Sequence, residues 1–184
     1  MGRVRIVPSM FDVVLSDPPW SYYGQQDKWG AAAKFYGTVS DEDMVTVARP
    51  PLKPKGVLFM WATGPRLDFA LGLLDSWDLF YRGIAFVWVK TKKDGTPIKA
   101  QGVRPSIVKP TTEFVVAASP VKKGRPMPLS SESVEQVVLA PKQEHSRKPD
   151  IHNRIEALYP NATKLEMFAR RRVPGWFAHG DQIS

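Results

Sequence analysis

Asp17-Pro18-Pro19-Trp20 is a tetrapeptide whose residue types, taken together, can do chemistry on a flat ring that carries an amino group. Asp17 supplies a carboxylate. Each proline fixes its own φ and removes an N–H, which stiffens the loop and leaves the Pro18 carbonyl open to accept a hydrogen bond. Trp20 offers a broad face for stacking. An exocyclic amino group such as that of adenine is a poor nucleophile, because its lone pair is delocalised into the ring. Two acceptors, one per amino hydrogen, draw that lone pair out of conjugation and aim it at an electrophile. This is positioning and electrostatics rather than strong-base catalysis. A plain turn is the competing reading, since Asp-Pro and Pro-Pro form turns readily. At average residue frequencies the tetrapeptide arises by chance in roughly one such chain per several thousand. The chemical reading therefore leads.

The loop needs a frame to hold it. Phe11 to Ser16 is a short apolar run ending in a turn signal, the pattern of a buried strand. Further strands are expected at Gly56–Ala62, Gly83–Val89, Glu113–Ala117, Thr163–Phe168 and Trp176–His179. A helix is expected from Pro65, with Leu67, Ala70, Leu71 and Leu74 at helical spacing, and another from Pro149 to Tyr159. A short one opens at Ser40, which can cap it, with acids in its first turn. Strands alternating with helices predict an α/β fold with an open sheet, in one domain over 1–184. Ligands of such sheets bind beyond the carboxyl ends of the strands, which is where Asp17 falls. Two irregular stretches, about 21–39 and 91–110, are longer than ordinary connections and predict binding loops.

Charge points to a polyanion. The chain of 184 residues carries 26 Lys and Arg against 18 acids, a net charge of +8, and this raises the prior for nucleic acid. Between Lys90 and Lys109 lie Lys90, Lys92, Lys93, Lys99, Arg104 and Lys109 with a single acid, Asp94. Phosphate contacts from Lys92, Lys93, Lys99 and Arg104 would help offset the few kcal/mol needed to flip a base out of a duplex. There is no cysteine, which excludes disulfides and thiolate metal sites. His145, His152 and His179 have no metal-ligand spacing, so no metal is expected. Trp61, Trp77 and Trp88 read as core. No apolar stretch reaches the roughly 20 residues of a membrane span, and Met1 to Arg5 lacks a secretory signal's apolar core. A cytoplasmic protein is expected.

The ordered motifs resemble the DPPW adenine methyltransferases, the family named after the seventy-kilodalton MT-A subunit. Asp17 to Trp20 is similar to its signature, and Phe35 to Met44 to the tyrosine-glycine-threonine segment after its first substrate loop. Leu58 to Gly64 and Val87 to Thr91 look like its next two strands. Ser146-Arg147-Lys148-Pro149-Asp150 is similar to the segment whose lysine meets the methionine carboxylate of the donor, S-adenosylmethionine. Phe168-Ala169-Arg170 and Gly180-Asp181-Gln182 fall where the family contacts the donor's ribose and adenine.

The resemblance implies a Rossmann-like S-adenosylmethionine-dependent methyltransferase fold with a mostly parallel sheet in permuted order, catalytic half first and cofactor half last. Only ten residues precede the first strand, and the strand at Lys164–Phe168 would be the first of the unpermuted fold. The implied donor contacts are Asp17, Lys148, Phe168, Arg170, Asp181 and Gln182. The implied catalytic loop is Asp17, Pro18, Pro19 and Trp20. Tyr36 and Glu113 would join the basic residues on the substrate side. The chain departs from the family at Asp181, often asparagine, and at Ile151, usually an acid.

The expected activity is methyl transfer to the 6-amino group of adenine in nucleic acid. DNA is expected over RNA, because the bare catalytic domain resembles the short bacterial or phage form, which would work at the nucleoid. A homodimer or a partner subunit is the expected association. A catalytically silent nucleic-acid-binding subunit is the second reading, and the intact Asp17 to Trp20 motif stands against it. Methylation of a protein side-chain amide is a third, and the basic loops disfavour it.

Overall fold

The computed structural model describes residues 10–19, 48–100, 107–142, 148–180 and 183. The strands are β1 (Phe11–Ser16), β2 (Leu52–Ala62), β3 (Phe80–Thr91), β4 (Thr112–Ser119), β5 (Val137–Pro141), β6 (Lys164–Met167) and β7 (Trp176–His179). Two α-helices accompany them among the described residues, α1 (Leu67–Ser76) and α2 (His152–Leu158), and a 3-10 turn at Gly64–Arg66 leads into α1. The expected helix near Ser40 lies outside the described residues.

All seven strands form one sheet in the order β5-β3-β4-β2-β1-β6-β7. β1 pairs in parallel with β2 and with β6, β6 with β7, and β3 with β5. β4 runs antiparallel to both β2 and β3, so among the described strands it alone is reversed and the sheet is mostly parallel, as expected. The chain leaves β1 towards β2 on one side, while β6 continues to β7 on the other. The crevice beyond the carboxyl ends of β1 and β6 is therefore a topological switch point, the usual ligand position in an open sheet.

Apolar packing on both faces holds this frame. Successive side chains of a strand point to opposite faces, so Val14 packs with Leu58, Met60, Leu165 and Met167 on one face, under Ala70, Leu73 and Leu74 of α1. Val13 and Leu15 pack on the other, with Phe59, Trp61, Phe86, Trp88 and Ile155 of α2. Burial on both faces explains why the central strands read as unbroken apolar runs. Trp61, Trp77 and Trp88 are all buried, matching their reading as core. β2 and β3 extend beyond the ranges expected from sequence, and β5 was not expected at all. Trp88 Nε1 donates to the Ala140 carbonyl at 2.8 Å and pins β5 to the sheet edge.

Candidate functional site

Asp17 and Phe168 leave the ends of β1 and β6 side by side, because Ser16 pairs with Met167 in the parallel register. Between them opens a cleft of about 240 Å³, lined by Leu15 and Asp17, Trp61 of β2, Lys148, Asp150 and His152, and Glu166, Phe168, Arg170 and Arg171. Phe168 has a φ of 60°, a left-handed backbone that a bulky residue adopts only under local compulsion. The compulsion is visible. Ala169 N–H donates to the His179 carbonyl at 3.0 Å, which pulls the chain across the end of β7.

A chain of alternating charges runs from the cleft to β3 and β4. Lys148 Nζ lies 2.5 Å from Asp17 Oδ1 and 3.7 Å from Glu113 Oε2. Glu113 Oε1 in turn lies 2.7 Å from Lys90 Nζ. Asp17 and Lys148 are 131 positions apart in sequence, and the sheet topology joins them. Because β4 is reversed, Glu113 at its start reaches the same end of the sheet as Lys90 near the finish of β3. Both lysines are backed by aromatic faces, Lys148 at 5.6 Å from the Trp61 ring and Lys90 at 5.1 Å from Trp88, contacts that favour a partly desolvated cation. Lys148 thus fixes one oxygen of Asp17 and leaves the second carboxylate oxygen as a further acceptor site.

The cleft lining also holds a histidine between two carboxylates. His152 is buried, with Nδ1 at 2.7 Å from Asp150 Oδ1 and Nε2 at 2.9 Å from Glu166 Oε2. Burial opposes its charge, but hydrogen bonding to Glu166 and then to Asp150 outweighs that and holds its pKa above the usual histidine value. Burial likewise opposes ionisation of Asp150. Hydrogen bonds from the His152 backbone and ring and from Arg171 prevail, and its carboxyl stays below the usual range.

Orphaned hydroxyls gather at this end of the sheet. Ser16 Oγ, Thr63 Oγ1 and Thr91 Oγ1 are buried without a hydrogen-bond partner among the described residues, and they stand at the carboxyl ends of β1, β2 and β3. Buried polar atoms are normally satisfied, so their concentration here marks the ligand-facing end. A donor with an amino-acid tail and a nucleoside fits these residues: Lys148 is a cation for its carboxylate, and Phe168 is a flat apolar wall.

The structure brings Asp17, Lys148, Phe168 and Arg170 to one cleft and sets Glu113 against Lys148. Pro18 is buried and Pro19 half-buried behind Asp17. Lys92, Lys93 and Lys99 stand exposed on the loop after β3, away from the cleft lining. There Asp94 accepts from Thr96 N–H at 2.9 Å and closes the turn that presents Lys92 and Lys93. Trp20, Tyr36, Arg104, Asp181 and Gln182 lie outside the described residues. Lys90, His152, Glu166 and Arg171 were not singled out from sequence. Two signals could have found two of them: Lys90 ends a buried strand as Asp17 does, and Glu166 is an acid inside an apolar strand. Among the described residues no cluster of metal-ligating side chains occurs, and no helix is long and apolar enough to cross a membrane.

Comparison with known proteins bears on the whole cleft. The MT-A70 family model matches residues 11–182. An Arabidopsis thaliana protein named N(6)-adenosine-methyltransferase MT-A70-like is 30% identical over 95% of this chain, which spans 24% of that relative's length. The human N(6)-adenosine-methyltransferase catalytic subunit METTL3 is 29% identical over 94% of the chain and 28% of its own length. The Type II methyltransferase M.MunI of a Mycoplasma species is 29% identical over 94% of the chain, and here the match covers 78% of the relative. The chain thus spans about a quarter of the length of the plant and human relatives and most of the bacterial one. With this strand order, the chain belongs to the MT-A70 family, whose permuted Rossmann-like fold it adopts and whose methyl donor is S-adenosylmethionine.

Proposed function

We propose that this chain transfers a methyl group from S-adenosylmethionine to the 6-amino group of adenine in nucleic acid. The observation that carries the reading is the Asp17–Lys148–Glu113 chain at the switch-point cleft, with Asp17 Oδ1 held by Lys148 at 2.5 Å. S-adenosylmethionine, when bound, supplies a methyl group made electrophilic by a sulfonium. Lys148 anchors the donor's carboxylate while keeping Asp17 oriented. Asp17 accepts one amino hydrogen of the target base through its second oxygen, and the Pro18 carbonyl accepts the other. The lone pair freed from the ring then faces the cleft. Phe168 and Arg170 hold the donor's nucleoside, and Asp181 and Gln182 are assigned to it by the family motif alone. Glu113 borders the base, where Trp20 and Tyr36 stack. Lys92, Lys93, Lys99 and Arg104 contact phosphates.

For the polymer, the relatives favour RNA over the DNA expected from sequence. The plant and human relatives are named for adenosine, a ribonucleoside. The bacterial relative is matched along 78% of its own length under a name that leaves the polymer unstated, so DNA is the second arm of the test. The protein should be incubated with isotopically labelled S-adenosylmethionine and separate RNA and DNA pools, which are then digested to nucleosides. Label in 6-methyladenosine, lost in Asp17→Ala, is the expected result. Label in the deoxynucleoside alone would move the substrate to DNA. Label on another base, or transfer at wild-type rate by Asp17→Ala, would overturn the reading. No transfer with donor binding retained would support the silent or partner-dependent subunit.

A further inference from the structure

The cleft lining includes a buried titratable group that the proposed chemistry leaves unused. His152 begins α2, and its two ring nitrogens face two different carboxylates, Asp150 at 2.7 Å and Glu166 at 2.9 Å. A neutral imidazole has one N–H and one lone pair, so it can donate to only one of them. Both contacts together require the imidazolium. The other groups around the ring are accounted for. Trp176 of β7 meets it edge-on at 4.8 Å, and Trp176 Nε1 donates to Glu156 of α2. The second Glu156 oxygen pairs with Lys164 of β6. Arg171 holds Asp150 by its other oxygen, Oδ2, while the His152 backbone N–H donates to the same Oδ1 that faces the ring. Asp150 lies two residues after Lys148, and Glu166 lies two residues before Phe168. Through His152, the segment that carries Lys148 is joined directly to β6, which Phe168 follows.

We propose that His152 is a positioning residue whose imidazolium clamps the Lys148-Pro149-Asp150 segment to β6, and that methyl-donor binding is tightest in that charge state. The inference rests on the reading of the cleft as the donor site. Loss of the proton leaves a ring lone pair facing a carboxylate oxygen at under 3 Å. Those two acceptors repel, and Lys148 and Phe168 lose their common tether. The pKa of His152 is already raised, so the clamp is complete below the ordinary histidine range and is released as pH rises through the raised value. By linkage, a ligand that favours the clamped form must raise the midpoint of His152 by the same factor.

The test uses the intact protein and S-adenosylhomocysteine, the demethylated donor, as probe. Calorimetry gives its Kd from about pH 6 to pH 9, and NMR follows the His152 ring proton, assigned by its loss in His152→Gln. The proposal expects affinity to fall as His152 titrates, by about tenfold for each unit that the probe raises the midpoint. His152→Gln should bind more weakly and lose that part of the pH profile. Glu166→Gln, which removes one facing carboxylate, should shift the profile to lower pH, and it serves if His152→Gln does not fold. A folded His152→Gln with wild-type Kd and pH profile would overturn the inference, as would a His152 midpoint unmoved by the probe. Failure of the probe to bind at any pH would instead overturn the donor-site reading, and this inference with it.

Discussion

Gly180→Ala and Gly72→Ala make the same chemical change and should move stability in opposite directions. A Cβ built on Gly180 would sit 2.3 Å from the Ala169 carbonyl oxygen, 2.7 Å from Ala169 N and 3.0 Å from Phe168 C. All three are backbone atoms, so no side chain can swing aside. The only relief is to push the 168–169 turn away from the end of β7, which stretches the hydrogen bond from Ala169 N–H to the His179 carbonyl. Overpacking of this kind costs about 1–3 kcal/mol, and losing the hydrogen bond adds about 0.5–1.5 kcal/mol. Together they come to about 2–4 kcal/mol, or a fall in Tm of roughly 5–15 °C for a chain of this length. Gly72, exposed within α1, has nothing within 4 Å of the same Cβ, and alanine there should gain up to about 1 kcal/mol of helix propensity. Thermal or urea unfolding of both variants gives the two signs directly. Donor titration should show Gly180→Ala binding more weakly, because the turn it displaces carries Phe168. A Gly180→Ala protein as stable as wild type would refute the packing of β6 against the end of β7 described here.

Other perturbations read different parts of the frame. Trp88→Phe removes a buried ring and the donor to Ala140 O, and it should lower stability by about 2–3 kcal/mol, with hydrogen exchange rising first in β5. Asp12 accepts hydrogen bonds from Thr163 N–H and Oγ1 and an ion pair from Lys53. Burial opposes its charge but these contacts prevail, and its pKa is lowered. Its contribution should therefore be intact above the ordinary carboxylate range and lost as pH falls through the depressed value; Asp12→Asn should remove that part of the acid-unfolding curve. Neutralising Lys92, Lys93 and Lys99 together should leave donor affinity unchanged and flatten the dependence of nucleic-acid affinity on salt. The log–log slope should shrink by about 0.7–0.9 for each phosphate that is no longer neutralised. An unchanged slope would remove this loop from the nucleic-acid path.

How much was legible follows from what each residue's neighbours are. β1 was readable because a strand buried on both faces must be apolar throughout, whereas β6 and β7 were legible only as short runs, since β6 carries Lys164 and Glu166 and β7 leaves Phe177 exposed. The start of β2 was not, since Lys53-Pro54-Lys55 reads as a polar turn, although Lys53 pairs with Asp12 across the sheet. β5 escaped notice because it is a short edge strand in which only Val138 is buried. α2 begins three residues after Pro149, because the Asp150 side chain takes the His152 N–H and holds the chain in a turn. In the cleft, Asp17 and Lys148 could be named from their motifs. Lys90 was counted only in the cation-rich stretch from Lys90 to Lys109, but it is ion-paired with Glu113 across the strand pair. A charge tally along the chain cannot register cancellation between β3 and β4. His152 was weighed only as a metal ligand, and its partner Glu166 lies 14 positions away.

In the proposed reaction Asp17, held by Lys148, acts on the amino group of adenine in this cleft. The most direct test of that role is the single-turnover rate of methyl transfer by Asp17→Asn at saturating donor and nucleic acid, with the product identified as 6-methyladenine. Asparagine keeps the shape but weakens the acceptor. The predicted rate constant is lower by about 10²–10³-fold, as for removal of one preorganised electrostatic group, in a protein whose unfolding is little changed. A folded Asp17→Asn protein that transfers methyl within about threefold of wild type would contradict that role.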